Sequence, residues 1–268
     1  MLSGSGPLVQ TSAPPHLPPM PDTPLPLRPR SATEIVDAAF QLYRRDPLSY
    51  LLVSALCYAP LLVLQLVILG PASQLSSELL AQTMSSTFVL ALGYWVSLSL
   101  MSAVIIRLSS EDYFGRRLEP AVAVRDALRH LPAVMVGLLL KYILLIVGFL
   151  LFIVGMLYMI ARYFAVTPCI MLEDRGVFTA FGRSAVLSRG HKLHILFTSF
   201  LAFLIFAVMY FAVVILAAAT GSLVISTVLT VAVSIVAYPL FAITEMLLYY
   251  DARVRNEGFD IEMMAEGL

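Results

Sequence analysis

Leu247-Leu248-Tyr249-Tyr250-Asp251-Ala252-Arg253-Val254-Arg255-Asn256-Glu257-Gly258-Phe259-Asp260 closes an apolar run that begins at Leu223 and carries a single charge, Glu245. Over a few residues the sequence passes from hydrocarbon-like to densely charged, as a membrane helix does where it leaves the bilayer for water. Every earlier apolar run can be oriented from this exit.

The rest of the chain agrees with that reading. Sixty per cent of its 268 residues are hydrophobic and 13% charged, with a mean hydropathy of +0.89; a soluble domain carries about a quarter charged residues. The expected class is therefore an all-α, polytopic membrane protein. Lys plus Arg and Asp plus Glu balance at 17 each, which argues against a nucleic-acid partner. Cys57 and Cys169 sit in or beside apolar runs with no CxxC. They read as small buried hydrophobes, and no disulfide, metal site or cofactor is indicated.

Residues 1–30 hold nine of the sixteen prolines and have neither a basic nor an apolar signal-peptide region, so a disordered Pro-rich tail is expected. From Ser31 a helical period sets in, with Ile35, Ala38, Ala39 and Leu42 on one face. Ser31 and Glu34 have the spacing of a capping box. Because Arg44-Arg45-Asp46-Pro47 leads directly into an apolar run, this helix is expected to lie along the membrane surface. Six spans follow, at about 48–69, 86–106, 132–149, 153–172, 195–218 and 223–248, each long enough for the roughly 30 Å of hydrocarbon. Residues 251–268 remain as a polar C-terminal tail.

Six spans partition the charge. All fifteen Lys and Arg residues outside the spans fall before span one, between two and three, between four and five, or after six, and the alternate connections have none. Short cytoplasmic loops collect such residues, so both termini are expected in the cytoplasm, with the protein in a cytoplasmic (inner) membrane. Segments 35–45, 121–130 and 177–189 are each short, part-apolar and basic at the end. They suggest three units, each an interfacial helix followed by a hairpin of spans, although any chain entering a membrane from the basic side has a similar look.

The run Arg162-x5-Pro168-x4-Glu173-x2-Gly176-x3-Ala180-x2-Arg183-Ser184-x2-Leu187-x-Arg189-Gly190, with Tyr249-Tyr250-Asp251-x-Arg253-x-Arg255-x-Glu257-Gly258-Phe259-Asp260 and the opening Ala38-Ala39-Phe40-x-Leu42-Tyr43-Arg44-Arg45, resembles a broad prokaryotic six-span family. That family includes the membrane domain attached to some bacterial glycerophosphodiester phosphodiesterases. The resemblance runs from about Arg28 to the C-terminus and implies fold and topology. The phosphodiesterase chemistry of fused members belongs to a separate barrel of some 250 residues, so no catalytic residues carry over.

Three ionisable residues stand inside spans: Lys141, Arg162 and Glu245. Charge at the bilayer centre costs about 2.5–3.5 kcal/mol on insertion scales. Counted from the charged ends, Glu245 lies roughly 9 Å deep, Lys141 about 13 Å and Arg162 about 15 Å. Glu245 is therefore expected to pair with Lys141, Arg162 or both, as an ion-pair lock between spans or as part of a site for a lipid phosphate or anionic solute. Arg116, Arg117, Arg129, Arg183, Arg189 and Lys192 are the basic residues suited to an inner-leaflet surface for anionic headgroups, or simply to setting topology. No nucleophile–base spacing, P-loop or GxGxxG occurs. The favoured expectation is a non-catalytic module that scaffolds or anchors a membrane partner or its own copies; the alternative is a small transporter or lipid-handling protein. An enclosed, water-accessible cavity reaching the Lys141, Arg162 and Glu245 cluster would favour the second, and a dry, fully packed bundle with an exposed apolar side face the first.

Overall fold

The computed structural model describes residues 28–69 and 79–259, except the side chains of 68–69 and 79–86. The Pro-rich segment up to residue 27, the Gly70-Pro71 stop with its polar connection, and Asp260 lie outside the described residues. Within them the chain is helical without strands: α1 (Ala32–Arg45), α2 (Pro47–Leu69), α3 (Leu79–Tyr113), α4 (Pro120–Leu150), α5 (Ile153–Arg162), α6 (Val166–Leu172), α7 (Val177–Leu187), α8 (Lys192–Ala219) and α9 (Leu223–Glu257). Six stretches are long and apolar enough to cross a membrane, the fourth formed by α5 and α6 together. Helices are the expected solution, since backbone groups in hydrocarbon must be satisfied within their own segment.

α1 opens as its sequence suggests. Ser31 caps it by accepting from the Glu34 N–H, and the Glu34 carboxylate accepts in return from the Ser31 N–H at 2.8 Å. Its apolar face does not wait for lipid. Ile35 and Leu42 are completely buried and Ala38 and Ala39 nearly so, because α1 packs on α8 and α9.

Burial is densest at the charged end. Ile105 and Ile106 of α3, Ile170 of α6, and Met246 and Tyr249 of α9 are fully buried there. Toward the other end, Phe149, Leu150, Leu151, Phe152, Phe211 and Ile215 are exposed. Lipid tails are as apolar as leucine, so burying an aliphatic side chain between spans gains little; tight packing follows polar contacts and close backbone approach instead. One such approach is the turn between α4 and α5. A Cβ on Gly155 would stand 2.5 Å from the Gly148 carbonyl oxygen, so the two helices cross backbone to backbone. Between them Phe152 takes φ 106, a conformation that non-glycine residues adopt only when their surroundings impose it.

Four boundaries differ from the sequence reading. Residues 121–130 are not a separate surface helix but the first turns of α4, which continues through Pro132; Ala123, Ala127 and Val134 form one buried stripe across that proline. The proposed three-unit repeat therefore holds discrete basic-end helices only at α1 and α7. The fourth span breaks at residues 163–165. The final helix continues to Glu257, so residues 251–257 are packed helix and not tail. Residues 28–30, assigned to the N-terminal tail, are docked: Arg30 is buried, with its N–H on Asp251 and its carbonyl on Arg255.

Candidate functional site

The break in the fourth span has a chemical cause. Pro168 has no N–H, so the carbonyl of Phe164, four residues earlier, has no intrahelical donor. Lys141 of α4 supplies one, with Nζ 3.5 Å from Phe164 O. Ser184 of α7 serves the other groups that the break exposes: its hydroxyl donates to the Arg162 carbonyl at 3.1 Å and accepts from the Ala165 N–H at 3.1 Å. Ser184 is fully buried and holds the two half-helices in register.

Lys141 turns its remaining donors to α9, where Nζ lies 3.2 Å from Glu245 Oε1. Their side chains are 17% and 12% exposed, so the pair is largely removed from solvent. It forms one wall of a cleft of about 380 Å³. Leu145, Leu157, Phe164, Phe200 and Phe203 line the remainder, with Ser199 as a small polar residue among them. Phe200, Phe203 and Leu157 are at the same time exposed, which marks the side on which the cleft opens, toward the surroundings of α5 and α8. Volumes of 300–1,000 Å³ that are mainly apolar with few polar groups are typical of small-molecule sites.

Arg162 does not join the pair, contrary to one of the sequence alternatives. It ends α5, donates from Nη1 to the Tyr158 hydroxyl at 2.7 Å, and stacks its guanidinium 5.8 and 5.7 Å from the Tyr158 and Tyr163 rings. Depth along the span carried no information on azimuth, and the break fixes the azimuth.

The C-terminal motif is the hub of the charged end. Asp251, 3% exposed in its side chain, accepts from the Arg30 N–H at 2.8 Å, from Arg255 Nε at 2.7 Å and from His194 Nε2 at 3.1 Å. Tyr249 donates to Glu173 Oε1 at 2.8 Å, and Tyr250 exchanges a hydrogen bond with Ser110 at 2.7 Å. Arg183 bridges Glu173 at 2.9 Å and Glu257, while Arg253 reaches Glu257 at 3.3 Å. Gly258 ends the helix at φ 63 and returns its N–H to the Val254 carbonyl at 3.2 Å. This left-handed stop, natural to glycine, turns Phe259 back onto Tyr250, and the Arg253 guanidinium sits 3.8 Å from the Phe259 ring centre. The motif thus binds α9 to the N-terminal segment, α3, α7, α8 and the loop after α6.

Burial would raise the Glu173 carboxyl, but hydrogen bonds from Arg183, Arg175 and Tyr249 outweigh it and hold the group below 4.5. The same environment raises Arg183 above its ordinary range, chiefly through Glu257. A carboxylate whose folded pKa is depressed contributes stability that is complete above its unfolded pKa and is lost as pH falls through the folded value. Thermal melts of the detergent-solubilised protein are accordingly expected to show an acid limb below about pH 4.5 that flattens in Glu173→Gln. An unchanged limb in the variant would place the acid sensitivity elsewhere.

The predicted basic surface is divided by these contacts. Arg183 is committed to carboxylates, and Lys192 lies 4.3 Å over the Tyr158 ring. Arg116, Arg117 and Arg189 are exposed in connections between helices, and Arg129 is exposed on α4. His130 pairs with Asp174 and His194 with Asp251. Among the described residues no group of His, Cys, Asp and Glu is suited to a metal ion. Sequence reasoning quoted Pro168 and Ser184 without seeing their roles. The signal was present, since a proline inside an apparent span predicts an orphaned carbonyl and therefore a donor. Comparison with known protein families, with curated proteins and with solved structures finds no match to this chain.

Proposed function

We propose that this chain is a non-catalytic, lipid-handling membrane protein that takes an acyl chain into the cleft between α4, α5, α8 and α9. The observation that carries this reading is the cleft itself, about 380 Å³ of mainly apolar lining that reaches the Lys141–Glu245 pair. A dry, closely packed lock would leave no such space. A purely aqueous solute would in turn find few partners among Leu145, Phe200 and Phe203. The broken fourth span adds support, because non-helical backbone at membrane depth is tolerated where it is buried in protein or lines a cavity. The scaffold alternative draws only on the exposed apolar face of α8, which a bilayer covers equally well. The charge partition and the family resemblance support a prokaryotic cytoplasmic membrane with the charged end inside.

Ser199→Trp tests this directly, because Ser199 lines the cleft at an incompletely buried position. Protein extracted in mild detergent is expected to retain several-fold less lipid per chain by mass spectrometry, with unchanged elution as a monodisperse species. Lipid content equal to that of the unsubstituted protein would overturn the proposal.

A further inference from the structure

Several cations at the charged end have a carboxylate: Arg28 has Glu34, Arg107 has Glu111 and Asp126, Arg175 and Arg183 share Glu173, Arg253 has Glu257, and Arg255 has Asp251. Arg162 and Lys192 have none among the described residues. Both instead converge on one phenol. Arg162 Nη1 lies 2.7 Å from the Tyr158 hydroxyl, and Lys192 Nζ lies 4.3 Å from the centre of the same ring. Arg162 Nε is shielded from solvent and has no hydrogen-bond partner. Two like charges drawn to one neutral ring repel each other, and the pair gains most from an anion that both can reach.

Their position says which anion. Arg162 ends α5 and Lys192 begins α8. One helical turn further along α8, Leu196 lines the cleft, as do Leu157 and Ile160 of α5. The two cations and Tyr158, which is 40% exposed, do not line the cleft themselves but stand within one helical turn of its lining residues Leu157, Ile160 and Leu196, toward the charged end. An anion held there with an apolar tail running inward has the geometry of an amphiphile, not of a free solute.

We infer that Arg162, Lys192 and Tyr158 form a phosphate-binding site that selects an anionic phospholipid for the cleft. The inference rests on the cleft holding an acyl chain and adds the headgroup chemistry. Arg162 supplies a planar guanidinium suited to two phosphate oxygens, Lys192 a point charge, and the Tyr158 hydroxyl a hydrogen bond.

The experiment is lipid mass spectrometry of protein purified from nanodiscs of equal phosphatidylglycerol and phosphatidylcholine. The unsubstituted protein is expected to carry phosphatidylglycerol in excess over its input ratio. Each juxtamembrane cation contributes about fivefold in affinity, so Arg162→Gln/Lys192→Gln is expected to lose roughly 25-fold in preference while keeping its total lipid. Total lipid thus reports the cleft, and the headgroup ratio reports the phosphate site. Equal occupancy of the unsubstituted protein by both lipids overturns the inference without any variant having to fold. A preference unchanged in the double variant also overturns it. So does displacement by inorganic phosphate in the absence of any phosphatidylglycerol preference, which would assign the site to a free anion.

Discussion

Glu245→Gln is expected to lower the stability of the detergent-solubilised protein by about 3 kcal/mol, the lower end of the range for removing one partner of a buried ion pair. The loss arises less from the missing attraction than from what is left behind. Lys141 Nζ would keep only neutral acceptors, the introduced amide oxygen and the carbonyl of Phe164 at 3.5 Å, in surroundings where its side chain is 17% exposed. Lys141→Met removes the cation and is expected to cost a similar amount, since it strands Glu245 and also the Phe164 carbonyl that Pro168 leaves without a donor. Replacing both residues by apolar ones should recover much of the loss, because an apolar pair of similar volume often replaces a buried salt bridge at little cost. A double-mutant cycle by thermal unfolding checks this. Losses that simply add would show that the two side chains act independently and would remove the pair from the account of the cleft wall.

The second large effect lies at the charged end. Asp251→Asn keeps the shape of the side chain but removes its charge, leaving Arg255 without the carboxylate it meets at 2.7 Å. A destabilisation of about 3 kcal/mol is expected. The change has a local signature that a general loss of packing would lack. Asp251 accepts the Arg30 N–H, and Arg255, which Asp251 orients, donates to the Arg30 carbonyl at 2.6 Å. The segment before α1 should therefore come loose first, read as faster tryptic cleavage after Arg30 at temperatures where the bundle remains folded. If cleavage there accelerates no more than at other sites, the hub does not hold the N-terminal segment.

Together these effects distinguish two polar systems in one molecule. The Asp251 hub and the Glu173, Arg183 and Glu257 cluster join six segments with nearly every charge matched. The sites at Lys141 and at Arg162 are sparser and border open space. Fully satisfied networks rigidify a structure, whereas Arg162 and Lys192, cations without carboxylates, are where a ligand has something to contribute.

What could be read in the sequence was whatever depends on neighbours along the chain. Hydropathy over about twenty residues located all six spans, and the capping box placed the start of α1. The alternation of connections with and without Lys and Arg put every basic segment at one end. Boundaries failed where local signals disagreed with packing. Pro132 looked like a helix start, yet α4 runs through it on a buried stripe; Asp251 to Glu257 looked like tail, yet their charges are matched by α7, α8 and residue 30. Pro168 was in view, but its consequence needs a donor from another helix.

The sequence by itself therefore determined the class and the number of spans, because hydropathy is a property of a single segment. Only the tertiary structure decided that Glu245 takes Lys141 and not Arg162, that Arg162 and Lys192 meet over Tyr158, and that a cleft separates the two groups. Those outcomes depend on the rotation of each helix about its own axis and on the break at residues 163–165. Rotation within a lipid-bathed bundle is set by the few polar and close-backbone contacts between helices, since hydrophobicity alone distinguishes little between one apolar face and another.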